Sequence, residues 1–281
     1  MGLQHQGMRH PEERRGGAPL EGRTAAPLLP AVIGHRGAAA RAPENTLAAL
    51  RKASELGCAW VEFDVRLTAD GVPVLCHDPT LDRTTDRTGV VSALPYATVR
   101  ASDAGCRFSA EFVGERVPAL EDALLLCAEL DLGANIEVKA ERGRDYATAA
   151  AVAAMLHELR PRTGPVLVSS FQWPALAALA HLAPHLPRGL LFGIVPRGWD
   201  ALALRLGVAV IGADHRRLRR HQVARIREAG YQLAAYTVND PARARLLYDW
   251  GVTSVFSDAP DIIPKSGAGP GPVPARQGAR G

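Results

Sequence analysis

The 281-residue sequence predicts a single α/β domain with the TIM (β/α)8 barrel fold. Short β-branched or apolar runs alternate with Ala/Leu-rich stretches, a pattern typical of repeated βα units around a parallel sheet. A chain of this length with 47% hydrophobic residues can bury one large core. Barrels of this kind commonly reach this size as one domain.

Nine segments have the composition of β-strands. In chain order they are 31–35, 60–66, 72–76, 134–139, 165–171, 188–193, 208–213, 231–238 and 253–257. Only about five residues separate the second segment from the third, whereas a parallel crossover needs a dozen or more. We therefore predict a hairpin of 60–66 and 72–76, which leaves the eight strands that the barrel needs.

Seven stretches between these strands are predicted to be helices: 44–56, 119–130, 145–160, 174–183, 199–206, 218–229 and 240–250. Residues 79–118 are rich in Thr, Asp, Gly and Ser, so we expect them to form an insertion after the hairpin, beside the active-site face. The ends, 1–29 and 265–281, have the composition of disordered tails. The TIM-barrel domain is thus predicted to span 30–264.

The formal net charge of +4 arises in the two ends of the chain, and residues 31–263 are neutral. A neutral domain argues against a nucleic-acid partner, which would need a basic face. The sequence contains no apolar run long enough to span a bilayer and no signal peptide, so we predict a cytoplasmic protein without stable membrane insertion. Nothing in the sequence specifies an oligomeric state.

Polar and aromatic residues follow many of the predicted strands. Because the carboxyl ends of barrel strands meet on one face, these residues are expected to share one rim, and that rim is predicted to be the active site. The residues are His35, Asp64, Lys139, Phe171, Asp214, Asn239 and Asp258.

Three carboxylates are candidates for a metal site. Glu62 and Asp64 are two residues apart on one strand and project to the same face, and Glu137 and Lys139 repeat this spacing on another. Three carboxylates together with water suit a hard cation, Mg²⁺ or Ca²⁺. The alternative is a structural ion-pair network of Glu62, Asp64, Arg66 and Lys139.

His35 and His77 are the predicted acid–base pair, because imidazole exchanges protons near neutral pH. Glycines on both sides of His35-Arg36 let the backbone approach a ligand. The strand that ends in His77 would return this side chain to the carboxylates. Arg36 and Lys139 can bind a phosphate. Pro43-Glu44-Asn45-Thr46 is either a simple helix start or a segment that supports the site.

These motifs resemble those of the glycerophosphodiester phosphodiesterases, in particular the bacterial cytoplasmic branch. The resemblance extends from about Val32 to Ile263. It is carried by His35-Arg36-Gly37, Pro43-Glu44-Asn45-Thr46-Leu47, Glu62-Phe63-Asp64-Val65, Asp70-Gly71, His77-Asp78, Leu81-Asp82-Arg83-Thr84-Thr85, Asp103-Ala104-Gly105, Ile136-Glu137-Val138-Lys139, Ser169-Ser170-Phe171, Tyr236-Thr237-Val238-Asn239 and Ser257-Asp258.

The resemblance implies metal-dependent hydrolysis of small glycerophosphodiesters to sn-glycerol 3-phosphate and an alcohol. It implies His35 and His77 as acid and base, Glu62, Asp64 and Glu137 as ligands of one divalent metal, and Arg36, Lys139, Glu44, Phe171, Tyr236 and Asn239 as substrate contacts. Two positions depart from the family pattern. Arg107 stands where an aromatic residue is common, and Tyr236 stands where Trp is common. Arg107 would favour an anionic head group if it reached the pocket.

Two other functions fit the same barrel. A lysophospholipase D-like enzyme would act on lipids and would need an apolar entrance at the mouth. A non-catalytic phosphate-binding barrel should have lost a histidine or a carboxylate, and none of those that the resemblance implies is missing.

Overall fold

The computed structural model describes residues 27–265. In this part of the chain, nine strands form one sheet: β1 Val32–Gly34, β2 Trp60–Leu67, β3 Pro73–Leu75, β4 Gly133–Val138, β5 Val166–Ser170, β6 Arg188–Phe192, β7 Val210–Asp214, β8 Gln232–Tyr236 and β9 Ser254–Ser257. Eight of them are parallel, and pairing of β1 with both β9 and β2 closes the barrel. The predicted fold class is confirmed.

The ninth strand, β3, is not one of the eight parallel strands of the barrel. It pairs antiparallel with β2, with Val65 opposite Leu75, so the predicted hairpin is correct. On its opposite edge, β2 pairs parallel with β4, which aligns Asp64 with Glu137. This register brings the predicted carboxylate motifs of the two strands side by side.

Eight α-helices lie between the strands: α1 Leu47–Glu55, α2 Tyr96–Arg100, α3 Leu120–Glu129, α4 Asp145–Leu159, α5 Trp173–Leu182, α6 Trp199–Arg205, α7 Arg220–Glu228 and α8 Pro241–Trp250. All seven predicted helices are present. The first begins at Leu47, three residues later than predicted, because Asn45 has a positive φ of 58° and Thr46 is the N-cap. Thr46 Oγ1 accepts from the Ala49 N–H at 3.2 Å. None of the described helices has the length and apolarity that a membrane crossing requires.

The insertion after β3 packs on itself. It contains the one-turn helix α2, which the composition did not predict, and two short 3-10 segments. Its apolar side chains form a small cluster with the end of the hairpin: Val74, Cys76, Leu81, Val91, Val99, Ala104 and Val117. The insertion is therefore an ordered platform beside β2 and β3.

Two further apolar clusters build the barrel. The larger one fills the space between the strands and the helices. The smaller one lies inside the barrel and comprises Leu29, Ile33, Trp60, Leu167, Val210, Ala234 and Phe256. Gly133 makes room for it, since a Cβ at this position would lie 2.2 Å from the Trp60 ring. The interior cluster closes the amino-terminal end, so the polar residues that follow along the strands face the open carboxyl end.

The predicted tails fall mostly outside the described residues, which exclude 1–26 and 266–281. Leu29, the last residue of the predicted amino-terminal tail, is 7% exposed, and its N–H donates to Gln232 Oε1 at 3.1 Å. At the other end, Lys265 Nζ donates to the carbonyls of Leu56 and Gly57, at 3.0 Å each. Both described ends are thus fastened to the barrel.

Candidate active site

Three buried carboxylates meet at the open end of the barrel. Glu62 and Asp64 of β2 are each 1% exposed, and Glu137 of β4 is 9% exposed. One oxygen from each can be chosen so that all three lie within 4.8 Å of one another. The structure therefore brings together the three residues that were predicted as metal ligands.

Like charges at this distance need compensation. Burial and the neighbouring Asp64 carboxylate raise the pKa of Glu62 to about 8, and the same two causes raise the pKa of Glu137. Burial also opposes ionisation of Asp64, but Lys139 and Arg36 outweigh it and lower its pKa. Glu62 Oε1 is buried and has no hydrogen-bond partner among residues 27–265. This donor set fits a hard divalent cation, which would neutralise the carboxylates and coordinate the free oxygen.

Two cations border the carboxylates. Lys139 Nζ lies 2.7 Å from Glu137 Oε1 and 3.3 Å from Asp64 Oδ1. Arg36 Nε lies 3.4 Å from Asp64 Oδ2, and the Arg36 N–H donates to Glu62 Oε2 at 3.0 Å. The backbone of Arg36 has a positive φ of 51°. Lys139 and Arg36 are therefore placed to meet an anion beside the carboxylates.

Arg66 belongs to a different group. Its Nη1 lies 2.6 Å from Glu141 Oε1, and Nε and Nη2 donate to the His77 carbonyl at 3.0 and 2.8 Å. Of the structural ion-pair network considered from the sequence, the pair of Lys139 with Asp64 is present, whereas Arg66 pairs with Glu141 and not with Glu62 or Asp64. Arg66 instead fixes the backbone that carries His77.

Asn45 is a site residue that the sequence motif contained without a stated role. Its Nδ2 donates to Asp64 Oδ2 at 2.9 Å, and its Oδ1 accepts from the Asp64 N–H at 3.0 Å. The pair is buried and reciprocal, so it sets the rotamer of the Asp64 carboxylate. The positive φ of Asn45 directs its side chain to β2.

His35 follows β1 and is held by two acids. Its Nδ1 lies 2.6 Å from Asp258 Oδ1, and its Nε2 lies 3.8 Å from Glu62 Oε2. Burial opposes protonation of His35, but Glu62 and Asp258 outweigh it and raise its pKa. Asn239, predicted as a substrate contact, donates to Asp258 Oδ2 at 2.7 Å. The Asp258 N–H in turn donates to Asn239 Oδ1 at 2.8 Å.

His77 lies two residues beyond the end of β3. Its Nδ1 is 2.6 Å from Asp78 Oδ1. Because a carboxylate only accepts, this contact places a proton on Nδ1 and leaves Nε2 available. Burial lowers the pKa of His77, and Lys139 and Arg36 add to that effect against the opposing charge of Asp64. The pKa values of the two histidines are therefore shifted in opposite directions.

Glu44 lies between two arginines. Arg36 Nη1 is 2.8 Å from Glu44 Oε1, and Arg83 from the insertion reaches both carboxylate oxygens at 2.7 Å. Burial opposes ionisation of Glu44, but the two guanidinium groups lower its pKa. In this arrangement Glu44 contacts other side chains of the site.

Aromatic side chains form one wall of the mouth. The rings of Phe171 and Tyr236 meet edge to face, with centroids 5.6 Å apart. Lys139 Nζ lies 5.8 Å from the Phe171 ring centre, and the Tyr236 hydroxyl donates to the Phe192 carbonyl at 2.6 Å. Phe171 is 42% exposed. The two residues predicted to line the substrate pocket thus lie together beside a predicted phosphate ligand.

Two other residues considered from the sequence are engaged elsewhere. Arg107 is exposed, and its Nε donates to the Thr85 carbonyl within the insertion. Asp214, the last residue of β7, pairs with Arg216 at 3.1 Å.

Comparison with known proteins identifies the family of this chain. The sequence model of the glycerophosphoryl diester phosphodiesterase family matches residues 35–262. A glycerophosphodiester phosphodiesterase of Caldanaerobacter subterraneus is 33% identical over 238 residues, covering 83% of this chain and 95% of that protein. One from Bacillus subtilis is 32% identical over 251 residues, covering 83% and 85%.

A solved structure resembles the fold closely. It is a phosphodiesterase of Oleispira antarctica in complex with the product sn-glycerol-3-phosphate, with a TM-score of 0.81, 38% identity, and coverage of 83% of this chain and 94% of that chain. The family match begins directly after β1 and continues past β9, and the structural match covers 83% of this chain. The chain therefore belongs to the glycerophosphoryl diester phosphodiesterase family of enzymes.

Proposed function

We propose that this enzyme hydrolyses small glycerophosphodiesters to sn-glycerol 3-phosphate and an alcohol, with one divalent metal ion and with His35 and His77 as the acid–base pair. The observation that most supports this proposal is the buried cluster of Glu62, Asp64 and Glu137, bordered by two cations and two histidines. The product bound to the Oleispira relative supports the choice of substrate class.

Glu62, Asp64 and Glu137 would hold the metal ion, Mg²⁺ or Ca²⁺. When bound, the ion supplies Lewis-acid stabilisation of the charge on a non-bridging phosphoryl oxygen. Asn45 contributes by fixing the Asp64 carboxylate through its two hydrogen bonds. Partners of this kind orient metal ligands and sustain their affinity.

Arg36 and Lys139 would bind the phosphate. They lie on either side of Asp64, at 3.4 and 3.3 Å from its two oxygens, so a phosphate over the carboxylates meets both cations. Lys139 offers a point charge and Arg36 a planar set of donors. Phe171 and Tyr236 would pack against the glycerol or the alcohol beside Lys139.

The two histidines would move the protons. One removes the proton from the glycerol 2-hydroxyl, whose oxygen bonds to phosphorus as the bond to the alcohol breaks. The other protonates the departing alkoxide, and water then opens the cyclic phosphate to sn-glycerol 3-phosphate. Direct attack of water on the diester would use the same two groups. Each histidine presents Nε2 because Nδ1 is held by Asp258 or Asp78.

A second candidate function is a lysophospholipase D-like activity. Phe171 and Ile194, in the loops after β5 and β6, are 42% and 59% exposed on the same rim. Apolar side chains there could contact an acyl chain. The non-catalytic phosphate-binding alternative has no such support, since none of the histidines and carboxylates that the proposed chemistry would use is missing from the sequence.

The test is release of sn-glycerol 3-phosphate by EDTA-stripped protein from a panel of glycerophosphodiesters, with Mg²⁺, Mn²⁺ or Ca²⁺ added back. Glycerophosphocholine and lysophosphatidylcholine are compared at equal concentration, with release of choline measured for both. Metal-dependent product from glycerophosphocholine supports the first proposal. A preference for lysophosphatidylcholine supports the lysophospholipase D-like function. Folded protein that is inactive on both substrates would contradict both proposed functions. A cytoplasmic location and the lack of a nucleic-acid partner remain predictions.

A further inference from the structure

Arg83 connects the insertion with two carboxylates of the site. Its Nε lies 2.6 Å from Asp78 Oδ2. Its Nη1 and Nη2 each lie 2.7 Å from an oxygen of Glu44, Oε2 and Oε1 respectively. One guanidinium thus bridges two carboxylates that come from different loops of the barrel mouth.

Each of these carboxylates also holds a group that the proposed reaction uses. Asp78 contacts Nδ1 of His77 through its other oxygen, at 2.6 Å. Glu44 accepts from Nη1 of Arg36 at 2.8 Å. The result is a continuous chain of contacts from His77 through Asp78, Arg83 and Glu44 to Arg36.

We propose that Arg83 is a positioning residue that acts on both His77 and Arg36 through Asp78 and Glu44. This inference rests on the proposed function, because it assigns a proton-transfer role to His77 and a phosphate-binding role to Arg36. Arg83 itself is 48% exposed on its side chain and contacts the carboxylates, so it acts through them.

The geometry requires an arginine. The planar guanidinium offers donors along two edges, and here one edge meets Glu44 while Nε meets Asp78. A lysine ammonium has no fixed fork and cannot reproduce three contacts on two carboxylates in fixed directions. Without Arg83, Asp78 would lose the contact that holds it against the His77 ring. Glu44 would likewise keep only Arg36, which could then change its orientation.

A simpler role for Arg83 would be to anchor the insertion to the barrel. The two roles differ in what they change. An anchor affects the stability of the fold, whereas a positioning residue changes the turnover and substrate affinity of folded protein. Arg116 is a matched control, because it is another exposed insertion arginine and its Nη1 donates to the Ala101 carbonyl at 2.9 Å, away from His77 and Arg36.

The kinetic test compares Arg83→Met, Arg83→Lys and Arg116→Met, each shown to be folded by its thermal unfolding curve. We expect Arg83→Met to lower kcat and raise KM for glycerophosphocholine, with a fall in kcat/KM of about 10–100-fold, as for other partners that orient site residues. Arg83→Lys should recover only part of this loss, and Arg116→Met should match wild type. Unchanged kcat and KM in folded Arg83→Met would overturn the inference.

The route of the effect is tested by combining variants. Asp78→Asn should mainly lower kcat, and Glu44→Gln should mainly raise KM. Adding Arg83→Met to the Asp78→Asn/Glu44→Gln pair should cost less than twofold further, because residues that act as a unit are not additive. Full additivity of the Arg83→Met effect would overturn the proposed route.

A measurement without substrate separates this inference from the proposed function. Nitrogen NMR of the His77 ring reports which nitrogen carries the proton. Wild type should show the proton on Nδ1, and Arg83→Met should show a mixture of the two tautomers. The same spectrum in both proteins would overturn the inference, whether or not the wild type hydrolyses glycerophosphodiesters. Wild-type protein that is inactive would instead contradict the proposed function.

Discussion

His35 Nδ1 lies 2.6 Å from Asp258 Oδ1, although the two residues are 223 positions apart in the chain. They meet because β1 pairs with β9, with Gly34 beside Ser257, when the barrel closes. Asn239 after β8 holds the second Asp258 oxygen at 2.7 Å. Closure of the barrel therefore fixes the His35 ring with Nδ1 protonated and Nε2 directed to the carboxylates.

This contact predicts the effect of Asp258→Asn. The variant keeps the size of the side chain but removes the charge that holds the Nδ1 proton, so the ring can take the other tautomer. We expect kcat to fall, with the loss bounded by the roughly 10²–10⁴-fold that an acid or base group supplies. The measurement is kcat of the metal-loaded enzyme. Asp261→Asn is the control, since Asp261 pairs with exposed Arg41 at 2.9 Å, and a loss as large in that variant would contradict the assignment.

Removal of His77 should affect the reaction more than the fold. The side chain is about one third exposed, so His77→Ala leaves little buried volume unfilled. We expect kcat to fall about 10²–10⁴-fold, with a nearly unchanged thermal unfolding midpoint. His221→Ala, at an exposed position of α7, serves as the matched control. Near-normal turnover of His77→Ala would show that His77 is not the acid or the base.

The carboxylate cluster predicts how pH changes the stability of metal-free protein. Burial and Asp64 raise the pKa of Glu62 from 4.5 to about 8. Between these values folded protein keeps a proton on Glu62 that the unfolded chain has lost, so stability should fall as pH rises through this window. The measurement is Tm of EDTA-stripped protein from pH 5 to pH 8. The fall in Tm between pH 5 and pH 8 should be smaller in Glu62→Gln than in the wild type. It should be the same as in the wild type in Glu121→Gln, a control at an exposed position of α3.

Addition of a divalent cation to the same samples tests the site itself. A ligand that binds only folded protein stabilises it, by about 2.7 kcal/mol at 100 times its Kd. Mg²⁺ or Ca²⁺ should therefore raise Tm of the wild type near pH 8, and much less that of Glu62→Gln. Equal shifts in the two proteins would place metal binding elsewhere.

The fold could be predicted from the sequence because most strands are short, largely apolar and bounded by turn residues. The hairpin followed from the short link at Asp70-Gly71, which no parallel crossover could use. The sequence pattern predicts a start of α1 three residues too early, since the positive φ of Asn45 leaves no trace in the hydrophobic periodicity of the sequence. The helix α2 has only five residues, too few for a hydrophobic period.

The site was predictable where its residues share a strand or a short motif. The two-residue spacing of Glu62 and Asp64 on one strand predicts that their side chains share a face. The positions of His35 and Lys139 at strand ends predict that they lie on the active-site rim. The partners of these residues were less accessible, because Asp258 and Arg83 act across contacts that depend on barrel closure and on the path of the insertion. Asn239 was recognised as a site residue, but its hydrogen bond to Asp258 could only be seen in three dimensions.

The close contact between Gly133 and Trp60 predicts a stability effect inside the barrel. A Cβ at Gly133 would lie 2.2 Å from the Trp60 ring, which is 5% exposed and packed in the interior cluster. Gly133→Ala should therefore lower the free energy of unfolding by about 1–3 kcal/mol, the usual cost of overpacking. Gly193→Ala is the control, because a Cβ there meets nothing within 4 Å and Gly193 is exposed. Its free energy of unfolding should change by no more than about 0.5 kcal/mol. Denaturant titration of both variants measures the difference, and equal stabilities would mean that Trp60 can move aside at no cost.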